Sequence, residues 1–159
     1  MKVKNMTLIA LLMAMTTIIT MYISFPIFQG YLNLGDVIVM SMGLLIPLNL
    51  VFLAGVGAAL ADLLLGYGQY AFFTLVIKTI EAYIIGRWAI KHSDKKVPIY
   101  VFLIAGIWMA FAYGLTDILL TQNPLIFFAS FGYNSLQGIV CALIAFMLVP
   151  ILKKIKNRQ

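Results

Sequence analysis

Apolar residues run along this chain in long stretches, broken only by short turn-forming clusters. Six stretches stand out: Asn5 to Phe25, Gly35 to Ile46, Leu48 to Leu65, Tyr70 to Ile90, Pro98 to Leu120 and Ile126 to Leu152. Pro26 ends the first, Pro47 stops the second, and "GYGQ" follows the third. A helix needs about 20 residues to cross a hydrocarbon core about 30 Å thick. The pattern therefore predicts six helical spans. The second is too short to cross without a tilt or help from its flanks. Short or interrupted segments often lie beside a binding site in transport proteins.

Composition turns this pattern into a class. The chain has 159 residues, 64% hydrophobic and 10% charged, with a mean hydropathy of +1.05. A soluble domain is about half apolar and about a quarter charged, and no soluble core of this length buries so much apolar surface. The expected fold is an all-α integral membrane bundle of six transmembrane helices, forming one membrane-embedded domain over residues 1–159. Lys2 and Lys4 precede the first run as they would in a signal peptide, but no small-residue cleavage pattern follows, so a retained helix is expected.

The basic residues predict orientation. Lys2 and Lys4 lie before the first span, Arg87, Lys91, Lys95 and Lys96 between the fourth and fifth, and Lys153, Lys154, Lys156 and Arg158 after the sixth. Six crossings put all of these on one side, which the positive-inside rule makes cytoplasmic, with both termini there. The net charge of +6 is then a topology signal and argues little for nucleic acid. The single cysteine, Cys141, excludes an internal disulfide and a multi-cysteine metal site, and His92 stands alone in a charged loop, so no metal is expected.

The remaining charges are placed differently. Asp36, Asp62 and Asp117 fall toward the outer ends of their spans, while Lys78 and Glu81 lie deeper in the fourth. At 1.5 Å per residue, Lys78 is about 12 Å and Glu81 about 16 Å below the outer end of that helix. Their three-residue spacing allows them to pair on one face. A lone charge at the bilayer centre costs about 3 kcal/mol on insertion scales, so an intramembrane pair marks either a functional site or a structural lock. Lys78→Ala is expected to abolish ligand binding in a chain that still folds and inserts.

Other polar groups gather at the same level. The loop "QGYLNLGD" offers Gln29, Tyr31 and Asn33 between flexible glycines. Gly55, Ala58, Ala59 and Asp62 share a small-residue face on which Asp62 would meet a neighbour such as Lys78. Ser130, Asn134 and Gln137 repeat along one face of the sixth span, where carboxamides either join helices or face a cavity. Trp108 and Tyr113 are ligand stackers or interfacial belt residues. Together these predict an outward-opening pocket with aromatic walls, suited to a flat, polar-edged and roughly neutral ligand. Ala10 and Ala14 form an A-x-x-x-A stripe, a helix-docking face or ordinary intrachain packing. There is no P-loop, no H-E-x-x-H and no G-x-S-x-G. No internal repeat is visible, so transport energy would come from a partner or a gradient.

The six short spans, the alanine stripe and the segments "YLNLGD" (31–36), "GVGAALADLLLGY" (55–67) and "IKTIEAYIIG" (77–86) resemble the substrate-binding S component of energy-coupling factor (ECF) vitamin transporters. Within that family they resemble the hydroxymethylpyrimidine or pyridoxine branch. The resemblance implies high-affinity capture of a small B-type vitamin or precursor at the outer face, with no cofactor and no catalysis. It also implies docking through Ala10 and Ala14 on a transmembrane T subunit carrying two ATPase subunits, and delivery by toppling in the cell membrane. It makes Gln29, Tyr31, Asn33, Lys78, Glu81, Tyr113, Asn134 and Gln137 the candidate substrate contacts. Two other readings remain open: a ligand-free assembly or sensor subunit, and a small lipid-modifying membrane enzyme using Asp62, Lys78 and Glu81 as acid and base.

Overall fold

In the computed structural model, residues 3–27, 30–92 and 97–156 are described. They form six α-helices: α1 (Val3–Tyr22), α2 (Asp36–Leu45), α3 (Phe52–Leu64), α4 (Gly68–Lys91), α5 (Ile99–Thr121) and α6 (Ile126–Lys156). These occupy the six apolar stretches. Two departures from the sequence reading stand out. The first helix stops at Tyr22, and Ser24–Pro26 (β1) instead pairs antiparallel with Tyr31–Asn33 (β2) in a small hairpin. The third stretch opens with a 3-10 turn, Leu48–Leu50, because Pro47 supplies no backbone donor and holds an extended conformation.

The short second helix is the centre of the bundle. All ten residues of α2 are buried, and it packs against α4 and α6 most extensively, with α1 and α3 completing its surroundings. A helix that is apolar all round belongs in a core. α3 lies between α1 and α4. Gly57 meets the α1 backbone at Met13, and Gly55 meets α4 at Leu75 and Thr79, so the small residues of α3 serve close packing on two sides.

A close backbone crossing joins α5 and α6. A methyl group added at Gly106 would lie 2.9 Å from the Cα of Gly138, and the reverse holds equally. Only glycine at both positions permits this backbone approach. The α3–α4 turn is closed by Gly66 at φ +85°, a left-handed position, and by the Tyr67 N–H donating to the Asp62 carbonyl at 2.8 Å.

The bundle reverses the usual distribution of polarity. Phe72, Leu125, Phe128 and Met147 are at least 70% exposed, whereas Asp36, Lys78 and Glu81 are at most 2% exposed. An apolar outside around a charged inside suits lipid as solvent. α5 (Ile99–Thr121) and the Ile126–Lys154 part of α6 are long and apolar enough to cross a membrane.

Candidate functional site

Beneath the β1–β2 hairpin lies an open cavity whose empty volume is about 520 Å³ with its mouth included. All six helices and the hairpin contribute to its lining. α4 supplies Tyr70, Thr74 and Lys78, spaced by four so that successive side chains share one face. α5 supplies Tyr113 and Asp117, α6 supplies Asn134 and Gln137, and Asp36 and Asp62 come from α2 and α3. Thr20 completes the ring from the end of α1.

A charged network forms the floor. Lys78 Nζ donates to Asp36 Oδ1 in a fully buried ion pair. Lys78 Nζ also lies 3.3 Å from Glu81 Oε2, close enough for an ion pair but outside hydrogen-bond geometry. Neither Glu81 oxygen has a hydrogen-bond partner among the described residues. The principal partner of Lys78 is therefore Asp36, on another helix, and Glu81 is the secondary one. Glu81 is fully buried and absent from the cavity lining, so it backs Lys78 and does not face the ligand space.

Gln137 ties this floor to the hairpin. Its Nε2 donates to Asp36 Oδ2 at 2.7 Å, and its Oε1 accepts the Asn33 backbone N–H at 2.7 Å. The Asn33 side chain accepts the Gly35 N–H at 2.8 Å, which shapes the turn into α2. Asn33 thus acts through both backbone and side chain. Asn134 donates to the Ser130 carbonyl at 2.9 Å while lining the cavity.

The walls are tyrosines holding carboxylates. Tyr31 donates to Asp62 Oδ1 at 2.5 Å and packs its ring 4.9 Å from Tyr67. Burial, and then the Asp62 charge, push the Tyr31 phenol above its usual range, so it remains a donor. Tyr70 donates to Asp117 Oδ1 at 2.6 Å. Tyr113 shares a 2.8 Å hydrogen bond with Thr74 and presents its ring 5.3 Å from Lys78 Nζ.

Six sequence-derived candidates, Tyr31, Asn33, Lys78, Tyr113, Asn134 and Gln137, line this one space. Gln29 lies outside the described residues. Glu81, the remaining candidate contact, is absent from the lining, and two readings the sequence left open are decided. Asp62 is hydrogen-bonded to Tyr31 and not to Lys78. Trp108 does not line the cavity; its indole N–H bridges α5 to α4 by donating to the Ile77 carbonyl at 3.2 Å. Sequence reasoning passed over Thr20, Tyr70 and Thr74. The Tyr70-x-x-x-Thr74-x-x-x-Lys78 spacing was the available signal for two of them. Ala10 and Ala14 are exposed, because α1 packs inward through Ile9, Leu12, Thr16 and Thr20.

Residues 1–154 match the family model described as the ECF-type riboflavin transporter, S component. An uncharacterised protein from Pyrococcus woesei is 43% identical over 101 residues, covering 61% of this chain and 67% of that one. The chain belongs to the family of ECF-type transporter S components. It is accordingly a membrane protein and a transporter subunit, not an enzyme.

Proposed function

We propose that this chain is the substrate-capturing subunit of an ECF-type importer, taking a single-ring B-type vitamin or precursor into the cavity under the β1–β2 hairpin. One observation carries the reading. Polar side chains from widely separated parts of the chain converge on one space roofed by a short hairpin. Convergent polar groups in a concave, preformed site are what small-molecule recognition requires.

The family description names riboflavin, while the central segments of the sequence resemble the hydroxymethylpyrimidine or pyridoxine branch. The lining favours the smaller compounds. Among the described residues, twelve of the fifteen in the lining carry polar side chains, and Ile27 and Ala58 are the only aliphatic ones. A tricyclic flavin with a dimethylbenzene edge would find little apolar wall. A single ring bearing hydroxymethyl and amino substituents offers hydrogen-bonding groups to such a lining. Tyr31, Asn33, Lys78, Tyr113, Asn134 and Gln137 are its proposed contacts, with Gln29 as a further one.

The six helices would form one domain crossing the cell membrane, with both termini cytoplasmic and the hairpin outside. Ala10 and Ala14 would dock on a transmembrane T subunit bearing two ATPase subunits, whose ATP hydrolysis drives toppling and release. The exposure of both alanines supports this role. Calorimetric titration of the purified chain with pyridoxine, hydroxymethylpyrimidine, thiamin and riboflavin tests the proposal. Tight binding of a single-ring compound is expected. Tight binding of riboflavin alone would retain the transporter role and overturn the substrate size. A folded chain that binds none of the four would defeat the vitamin reading.

A further inference from the structure

We infer that the ligand of this cavity carries a positively charged nitrogen, seated against the free oxygen of Asp62 and walled by tyrosine rings. The inference rests on the proposed vitamin-binding role of the cavity and gives it a ligand chemistry.

The charges around the cavity do not balance. Asp36, Asp62 and Asp117 line it, with Glu81 directly behind, and Lys78 is the only basic side chain in the lining among the described residues. Lys78 is already engaged by Asp36 and Glu81. Asp62 and Asp117 are held by neutral hydroxyls, Asp62 by the Tyr31 phenol with the Thr74 hydroxyl beside it, and Asp117 by the Tyr70 phenol. The inference departs from the expectation of a roughly neutral ligand, which counted the intramembrane charges as nearly offsetting.

Asp62 stands apart from the other carboxylates in the lining. It is 4% exposed, it lines the cavity, and its Oδ2 has no hydrogen-bond partner among the described residues. Asp36 has both oxygens occupied, by Lys78 and by Gln137. A buried carboxylate oxygen without a donor is costly, and a ligand that brings a charged donor removes that cost. The phenol on Oδ1 fixes the carboxylate's orientation, leaving Oδ2 for the ligand. Aromatic rings around a desolvated cation add further attraction. A protonated amine or amino-substituted basic ring satisfies all three conditions, whereas an alcohol satisfies only the hydrogen bond.

Matched ligand pairs on the full chain in nanodiscs provide the test. Pyridoxamine and pyridoxine differ by an ammonium against a hydroxyl on the same ring. Hydroxymethylpyrimidine is paired with its oxo analogue, which lacks the basic amino group. In at least one pair the basic member is expected to bind tighter by about tenfold or more, as a charge-assisted hydrogen bond is about twice as strong as a neutral one. Asp62→Asn should erase that advantage, bringing the two members of the pair to similar affinities. Equal affinities in both pairs, preference for the neutral members, or an advantage that survives Asp62→Asn would each overturn the inference. Binding of riboflavin alone would overturn it without touching the transporter role. If a folded chain binds no vitamin at all, the vitamin reading fails first and this inference with it. Should Asp62→Asn not fold, the pair comparison on the unaltered chain decides.

Discussion

Gln137 on α6 and Asp36 at the start of α2 lie 101 residues apart and share a 2.7 Å hydrogen bond at the floor of the cavity. The other end of the same carboxamide holds the Asn33 backbone, so one side chain links the hairpin roof to the charged floor. Substituting Gln137 with Leu would remove both links and leave Asp36 Oδ2 without a donor. We expect at least about tenfold weaker ligand binding, since a hydrogen bond to a charged group is worth about 1.5–3 kcal/mol. Gln137→Glu should be worse still, because it sets a second carboxylate against Asp36. Unchanged affinity in Gln137→Leu, measured by calorimetry, would remove the carboxamide from the site.

The Lys78 network changes the outcome expected from sequence alone. Lys78→Met strands Asp36 and Glu81 together in the core. Breaking a buried ion pair by removing one partner costs about 3–5 kcal/mol. Loss of binding should therefore come with a clear drop in Tm, not with an intact fold. Adding Glu81→Gln to Lys78→Met should recover part of that drop, because one uncompensated charge disappears. Thermal unfolding of both variants in detergent decides the matter; a single variant as stable as the parent would mean the pair contributes nothing to folding.

Tyr31 connects the hairpin to Asp62 through its hydroxyl alone, while its ring packs on Tyr67. Tyr31→Phe keeps the ring and deletes the donor. The hairpin should then open more readily, raising the ligand dissociation rate by about tenfold, the effect of losing about 1.4 kcal/mol. Stopped-flow displacement of bound ligand reads this rate directly, and a rate equal to the parent's would show that the hydroxyl does not latch the roof.

Gly106 and Gly138 make a paired stability prediction. Gly138→Ala forces a methyl into the Gly106 backbone, where no side chain can move aside. Destabilisation of about 1–3 kcal/mol is expected from such overpacking. Gly132, on the same helix, has nothing within 4 Å of an added methyl. Gly132→Ala should therefore be neutral or stabilising by up to about 1 kcal/mol through helix propensity. Equal Tm shifts in the two variants would contradict the close crossing.

Ala10 and Ala14 face outward, away from the cavity. Ala14→Trp should leave ligand affinity unchanged and abolish co-purification with T and ATPase subunits, together with vitamin uptake by cells. Retained complex formation in this variant would move the docking surface elsewhere.

Helix positions were legible because hydropathy is a local quantity. The expected fourth, fifth and sixth spans, starting at Tyr70, Pro98 and Ile126, match helices starting at Gly68, Ile99 and Ile126. The hairpin was not legible: hydropathy assigns Ser24 and Phe25 to the first span and Tyr31–Asn33 to a loop. Its strands have three residues each, too few to display an alternating pattern, and Pro26 stands within one of them.

The residue types of the site could be read from the sequence, since an aspartate or lysine within an apolar run is conspicuous wherever it falls. So could the neighbours that helical spacing dictates, such as Lys78 with Glu81 and Asn134 with Gln137. Partnership between helices could not. Local spacing offered Glu81 as the partner of Lys78, but the packing of α2 against α4 brings in Asp36 as the direct donor–acceptor contact. Asp62 was within reach of that same argument and instead met Tyr31 from the hairpin. Periodicity along a helix specifies which face a residue occupies. Only the docking of one helix on another sets which charges meet, which oxygen stays free, and where a ligand has room.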